Sequence, residues 1–247
     1  MSSVVMFSDF GPDGLYRAQV EGTIYGVSPA LKFIELISNA PRFDPYLSGF
    51  LLAACAKHFP PDTVFIGVVD PGVGTSQREP VVIRVGEQKF VGPDNGLFDV
   101  LANQYSGGAV KQTILWQPKE LSASFHGRDL FAPVAARLAS GEPISANWLS
   151  SPVPLHTRHR EMDTARIIYF DSFGNALTGI RASTLKGHEV IACKGHRVKS
   201  ARTFGDVPEH QLFWYANSLG LVELAVNQGS ARDQLALALG DEICIEE

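Results

Sequence analysis

Through the first 150 residues, short apolar runs alternate with stretches in which apolar side chains recur every three or four positions. "VVMF" (4–7), "FIELI" (33–37) and "TVFIGVV" (63–69) are brief and rich in Val, Ile and Phe, which predicts strands with little polar alternation. "YRAQVEGTIYGV" (16–27) and "LSGFLLAACAKHF" (47–59) are longer and predict helices between them. Such alternation is the pattern of an α/β architecture. Beyond about residue 165 the pattern changes. "ARIIYF" (165–170), "EVIAC" (189–193), "LFWYAN" (212–217), "LVELAV" (221–226) and "EICIE" (242–246) are separated by Gly, Asn and Asp turns with little helical periodicity. They predict a compact antiparallel barrel or sandwich. The polar segment between, "SSPVPLHTRHREMD" (150–163), carries two prolines and reads as a connection. The expected organisation is therefore an α/β domain over 1–155, a linker over 156–165, and a smaller, mainly antiparallel, β-barrel-like domain over 166–247.

Composition narrows the partners. Of the 247 residues, 45% are hydrophobic and 19% charged, the balance of a globular protein with no disordered or fibrous tract. The net charge is −5 and the lysines and arginines are scattered, so a polyphosphate partner is not expected. The modest basic stretch "CKGHRVKSAR" (193–202) reads as a solvated surface. "MSSVVMFSDFG" meets an acid too early for a signal sequence, and "GFLLAACA" is far short of a membrane span. Cys55, Cys193 and Cys244 lie far apart in apolar settings and form no redox or metal spacing. A reduced, cytoplasmic setting is expected, with neither nucleic acid nor membrane as partner.

Against this layout three acids stand at strand exits, where ligands gather in open α/β sheets. Asp9 follows "VVMF", Asp70 follows "FIGVV" and Asp171 follows "IIYF", each running into a turn with glycine. One such acid commonly starts a turn; three of them point toward a polar binding site. "VVDPGVGTSQR" (68–78) then carries a guanidinium back toward its acid. "SFHGRDLFAPVAARLA" (124–139) adds His126 before an amphipathic helix, with Asp129 suited to cap that helix. His126 is equally readable as a loop residue or a functional one. In "VGPDNGLFDVLA" (91–102), Asp94 and Asn95 make a turn, and Asp94 suits a cap for the helix that follows. Paired-histidine and paired-cysteine metal spacings, phosphate-cradling glycine loops and a serine nucleophile elbow are all absent. What remains is chemistry that needs a positioned water and a few charges, without a metal or a covalent intermediate.

Six segments in this order, "FSDFG", "VVDPGVGT", "GPDNGLF", "FHGRDLFAPVAARLA", "YFDSFGNALT" and "GLVELAVNQGSA", span nearly the whole chain. Together they resemble the S-adenosyl-L-methionine (SAM) hydrolase family, the SAM hydroxide adenosyltransferases, relatives of the fluorinase and chlorinase. The resemblance implies an N-terminal α/β domain and a smaller C-terminal β domain. It also implies a homotrimer with SAM held between one subunit's N-domain and a neighbour's C-domain. The implied activity is hydrolysis of SAM to adenosine and L-methionine by water attacking the ribose C5′, with SAM as substrate and no cofactor. By the same resemblance Asp70, Arg78 and His126 hold and polarise that water. Asp9 matches the acid that grips the ribose hydroxyls. Asp171 and Asn175 match a pair holding the methionine ammonium and carboxylate, an acid for the cation and an amide for the anion, and Phe173 would lie against the ligand. Phe204, Ser218 and Asn227 fall in stretches resembling the adenine pocket, although for Phe204 and Asn227 a core or turn role serves equally.

Several positions depart from the family pattern. The acid-to-arginine spacing is one residue longer than usual, so either "TSQR" holds an insertion and Arg78 serves, or Gln77 occupies the position and the activating charge is lost. Arg78 is favoured because an insertion also brings Pro80 into register. Ser38 stands where family members usually carry histidine, Gly14 where an acid is common with Asp13 one step away, and Gly179 where the family has Asn. Charged groups in "VVDPGVGT" and "FHGRD" suit water better than halide. The alternatives left by the sequence are a non-catalytic module that binds SAM or adenosine as a sensor and, more remotely, a metal phosphohydrolase.

Overall fold

The computed structural model describes residues 3–246, and its contacts divide them into two compact units that meet between Arg160 and Glu161. In the first unit a seven-stranded sheet has the order β2-β1-β3-β5-β4-β6-β7. The strands are β1 (Ser3–Ser8), β2 (Lys32–Ile37), β3 (Val64–Val68), β4 (Pro80–Val85), β5 (Gln88–Pro93), β6 (Ala109–Thr113) and β7 (Val153–Pro154). β2, β1, β3 and β5 run parallel, whereas β4, β6 and β7 are added antiparallel, so the sheet is mixed. β1 and β3 read as unbroken apolar runs because both faces of the sheet are covered. On one face Val4, Met6, Ile66 and Val68 join Val20 and Ile24 of α1 (Leu15–Val27) and Val134 and Ala135 of α4 (Ala132–Ser140) in one cluster. On the other, Phe65 stacks on Phe90 with ring centroids 4.8 Å apart, with Phe59 and Phe98 packed against them.

Helix α2 (Pro45–Ala56) is buried along residues 47–56, which explains its nearly uniform apolar composition. Its start is set by Asp44, whose side chain accepts from the Leu47 N–H at 2.9 Å, and by Pro45 in the first turn, where the missing N–H is harmless. A short α3 (Asp99–Gln104) holds the chain that follows β7. The buried Asp99 carboxylate accepts from the N–H groups of Arg158 and His159 at 2.7 and 2.9 Å, and Asn103 donates to the His159 carbonyl. Much of the polar connecting segment is thus fastened to the first unit. Burial raises the Asp99 pKa, and the two N–H donors oppose that rise.

The second unit is all β apart from single turns and the short α5 (Ala231–Gln234). One antiparallel sheet has the order β12-β13-β9-β8, from β8 (Thr164–Phe170), β9 (Ala176–Arg181), β12 (Leu212–Ala216) and β13 (Leu221–Val226). A three-stranded sheet, β11-β10-β14, comprises β10 (Val190–Cys193), β11 (His196–Val198) and β14 (Cys244–Glu246). Ile167, Ile180, Ile191, Val198, Trp214, Val222 and Leu224 from both sheets form one cluster. The α/β class and the smaller antiparallel unit agree with the hydrophobic pattern.

Glu189 is the polar keystone of this unit. Its carboxylate accepts from the N–H groups of Lys186, Gly187 and His188, and its own carbonyl takes the Trp214 indole N–H at 2.8 Å. Those backbone donors pull its pKa down to about 2. A depressed carboxylate stabilises the fold above its unfolded pKa, near 4.5, and loses that contribution as pH falls toward 2. Glu189→Gln is therefore expected to melt below the wild type at pH 7, with the gap closing as the pH is lowered from 5 to 3; thermal denaturation followed by circular dichroism across that range checks it.

Candidate active site

β1 and β3 are neighbours, with Ser8 opposite Val68, so the two acids that follow them leave the sheet side by side. This is the point where the chain connections from adjacent parallel strands diverge, the usual place for a ligand crevice. The Asn95 side chain fixes the exit of β3 by donating to the Val69 carbonyl at 2.8 Å. From Asp70 the chain turns through 71–77 and returns at Arg78. Arg78 Nε donates to Asp70 Oδ1 at 3.2 Å, and Arg78 Nη2 bonds to Asp70 Oδ2, so the pair is bidentate. Both side chains are only 4% exposed. Arg78 Nη2 also lies 2.9 Å from His126 Nδ1. The structure thus gathers Asp70, Arg78 and His126 at one place. Gln77 is exposed, with its backbone N–H on Thr75 Oγ1, so the guanidinium in the cluster belongs to Arg78.

Close contact between two loops makes this possible. Gly74 has φ +77°, and a Cβ there would lie 2.3 Å from the Ala123 carbonyl oxygen. Only glycine lets the 70–78 turn press on the segment that carries His126. His126 starts a single π-turn, Gly127–Phe131, that runs into α4. Asp129 lies inside that turn, accepting from the Ser122 N–H and from Arg128, so it is not the helix cap expected of it. Asp94 likewise caps nothing; it pairs with Lys111 at 2.9 Å, and α3 begins only at Asp99.

The geometry determines the state of His126. An arginine can only donate, so the Nδ1 that faces it is an unprotonated acceptor and the ring proton is on Nε2. Burial, and then the Arg78 charge, lower the His126 pKa and keep the ring neutral. Around the cluster is a cavity of about 90 Å³ lined by Asp9, Phe10, Phe43, Val68, Asp70, Val73, Ser124, Phe125, His126 and Gly127. It has room for water, and is well below the roughly 300–1,000 Å³ that drug-sized ligands occupy.

Asp9 borders the same cavity. Its Oδ2 accepts from the Phe43 N–H at 3.0 Å, and its pKa is raised, mainly by burial. Phe43 escaped the sequence reading. It is a non-glycine residue at φ +60°, a strained conformation, with its ring 73% exposed beside the cavity. Nothing in "PRFD" announces a left-handed phenylalanine.

The second unit carries a larger cavity, about 800 Å³, lined by Asp171, Phe173, Asn175, Phe204, Tyr215, Val226, Asn227, Gln228, Gly229 and Ser230. Asp171 Oδ1 accepts from the N–H groups of Phe173 and Asn175, each at 2.9 Å, and its Oδ2 from Asn175 Nδ2 at 2.9 Å. One N–H of the Asn175 amide is engaged in this way, which leaves its second N–H and a buried Oδ1 with no partner. Gly174, at φ +81°, lets this loop approach Ser230, whose Oγ would lie 2.2 Å from a Cβ. Asn227 Nδ2 ties down the Val207 carbonyl at 2.8 Å, a turn role beside its place in the lining. Ser218 lies on the exposed 217–220 turn and is not among the lining residues. Tyr215, missed in the sequence, is read there only as part of a strand.

An α/β unit with a polar cluster at its strand exits, followed by a β unit with a ligand-sized aromatic cavity, is the layout of an enzyme for a small molecule. Residues 4–147 match the SAM hydroxide adenosyltransferase N-terminal domain, and residues 165–244 the corresponding C-terminal domain. The chain is 36% identical over 260 aligned positions to the (R)-S-adenosyl-L-methionine hydrolase of Thermus thermophilus, covering 97% of this chain and 98% of that protein. It is 35% identical to the hydrolase of the same name from Salinispora arenicola, covering 96% and 94%. A fluorinase from an Actinoplanes species is 21% identical over 58% of this chain. Among solved structures, an uncharacterized conserved protein from Thermotoga maritima superposes with a TM-score of 0.84 at 31% identity, covering 99% of this chain and all of the other. This chain belongs to the SAM hydroxide adenosyltransferase family.

Two outcomes test the cluster. Gly74→Ala is expected to destabilise the protein by about 1–3 kcal/mol, since both its φ and its contact are incompatible with a side chain; denaturant melts measure this. Arg78→Met is expected to raise the His126 pKa, read from the imidazole C–H resonances in an NMR titration. An unchanged or lower value would mean that Arg78 does not hold the ring neutral.

Proposed function

We propose that this protein hydrolyses SAM to adenosine and L-methionine, with Asp70, Arg78 and His126 holding the attacking water. The observation that carries the reading is the contact of a buried Asp70–Arg78 pair with the half-buried His126 beside a water-sized cavity. The near full-length relatives named as SAM hydrolases support it. The guanidinium inside the cluster also makes a sensor without chemistry the weaker reading.

The chemistry follows from the donors and acceptors present. Water needs one lone pair aimed at C5′, and its other three sites can be held. Asp70 lines the cavity as an acceptor for a water proton, and His126 Nε2–H is a donor for one lone pair. As the C5′–O bond forms, the C5′–S bond breaks and its electron pair neutralises the sulfonium. Methionine leaves as a thioether that needs no proton, so no general acid is required. The new oxygen, carrying two protons, becomes strongly acidic and passes one to Asp70, from which it reaches solvent. A carboxylate is a sufficient base for that late transfer. Orientation and proton transfer of this kind supply ~10²- to 10⁴-fold; placing the water in line and shielding the site supply more.

Substrate contacts follow the same logic. Asp9, on the cavity wall, offers its carboxylate to the ribose hydroxyls, and Phe43 is placed to lie over the ligand. In the larger cavity, Asp171 and the free Oδ1 of Asn175 favour N–H groups and positive charge, as the methionine ammonium would bring. Phe173, Phe204 and Tyr215 offer ring faces and edges. Asn227 acts there through the turn it ties, and Ser218 is the weakest of the expected contacts. The homotrimer, with SAM between one subunit's N-domain and a neighbour's C-domain, is part of the same proposal, and a sedimentation mass three times that of the chain would support it. The three free cysteines, and the absence among described residues of a helix long and apolar enough to cross a membrane, suit a cytoplasmic setting.

Purified protein incubated with SAM is expected to release adenosine and methionine in equal amounts, unaffected by EDTA; tight binding without turnover would favour the sensor, and a metal requirement the phosphohydrolase. Asp70→Ala is expected to abolish turnover while SAM still binds. Because breaking a buried ion pair costs about 3–5 kcal/mol, Asp70→Asn, which keeps the shape, serves as its companion. Equal loss of binding in both would make Asp70 a substrate contact. Since the His126 pKa is lowered from 6.5, kcat/KM is expected to hold below pH 6.5 and to fall only as the pH drops through that lowered value.

A further inference from the structure

Glu223 has no part in the chemistry above, yet it stands directly behind the wall of the larger cavity. It is on β13, opposite Tyr215 of β12 in the antiparallel register, and is 4% exposed. A buried carboxylate is costly unless its oxygens are met, and among the described residues no cation is paired with it. Tyr215 Oη donates to Oε1 and Asn217 Nδ2 donates to Oε2, each at 2.7 Å. The groups that act on its protonation are Asn217, Tyr215 and Asp171, with burial the largest influence and upward in direction. An apolar side chain would fill this place in the sheet without that desolvation cost. What it could not supply is a directional tether.

The tether reaches two parts of the site. Tyr215 lines the cavity, and its ring meets Phe204 at 5.4 Å and Phe213 at 5.6 Å, with Phe204 edge-on to Phe213. The hydroxyl at the far end of the ring is the point from which its swing is best restrained, and Glu223 holds that point. Asn217, in turn, uses its Oδ1 to accept from the N–H groups of Leu219 and Leu221, each at 2.9 Å, which closes the turn after β12. One carboxylate therefore sets the aromatic wall and the adjoining turn.

We infer that Glu223 is a positioning residue that fixes the Tyr215 ring as one wall of the pocket for the adenosine part of the substrate. The inference rests on reading this cavity as the SAM site. Flat aromatic walls suit the faces and edges of a purine. Holding Tyr215 in place before binding lowers the ordering cost of forming the complex. The effect should therefore be on binding and leave the chemical step alone.

The test compares Tyr215→Phe, Glu223→Gln and the double variant with wild type. Each single change is expected to raise the KM for SAM about 10-fold with kcat within about 3-fold, and to weaken inhibition by adenosine by a similar factor while leaving inhibition by methionine unchanged. The double variant should be no worse than the poorer single one, because both remove the same tether. Unchanged KM and adenosine affinity, with or without a lower melting temperature, would overturn the inference and leave Glu223 as a purely structural group. A fall in kcat at constant KM would overturn it as well. Should Glu223→Gln fail to fold, Tyr215→Phe decides alone. If wild type does not hydrolyse SAM, the functional reading fails by itself, and calorimetric titration of adenosine into the same proteins still decides the role of Glu223.

Discussion

The bidentate pairing of Arg78 with Asp70, out of solvent, is the constraint on which the rest of the site depends. An uncompensated charge at either position would be strongly unfavourable, so each side chain requires the other. With both oxygens of Asp70 engaged, Arg78 Nη2 also reaches His126. That contact decides the tautomer, and the tautomer decides that the ring offers an N–H where a free histidine could offer either face. A stability feature and a chemical one are therefore the same interaction.

Glycine and strain appear where two loops must approach. Gly74 lets the turn after β3 lie on Ala123, and Gly174 lets the turn after β8 lie on Ser230. Each contact lies beside a cavity: the water-sized one in the first unit, the ligand-sized one in the second. Phe43 adds a third case, held at positive φ with its N–H on Asp9. The scaffold around them is conventional, strands covered on both faces and a cluster shared by two sheets.

In the proposed reaction the two cavities divide the work by chemistry. The smaller one concentrates an acid, a guanidinium and an imidazole, which can order a water molecule but would hold little else. The larger one is walled by rings and by acceptors, Asp171 and the free Asn175 oxygen, which suit an aromatic ligand with N–H groups and positive charge. A sulfonium substrate needs little more than this. Its leaving group is good because departure cancels a charge, so the protein's task is to deliver a water in line and to recognise two dissimilar ends of one molecule.

Hydrophobic periodicity alone was enough to read the two-part architecture, because apolar runs, helical spacing and turn residues act locally. β1, β2, β3, α1 and α2 all lie where the pattern put them, as do β8, β10, β12, β13 and β14 of the second unit, whereas β9, in the middle of its sheet, was not read from the pattern. Asp70, Arg78 and His126 could be named from their segments, and Asp9 and Asp171 from their strand exits. Only the tertiary structure could decide between Gln77 and Arg78, because the choice turns on which side chain is buried against an acid eight residues back and a histidine 48 residues ahead. The same holds for Asp129 and Asp94, suited to cap helices by local rules but drawn instead to Arg128 and Lys111. Phe43, Tyr215 and Glu223 had no signature at all. Their roles come from a backbone angle, a cross-strand register and burial, and these arise only when distant segments exclude water together.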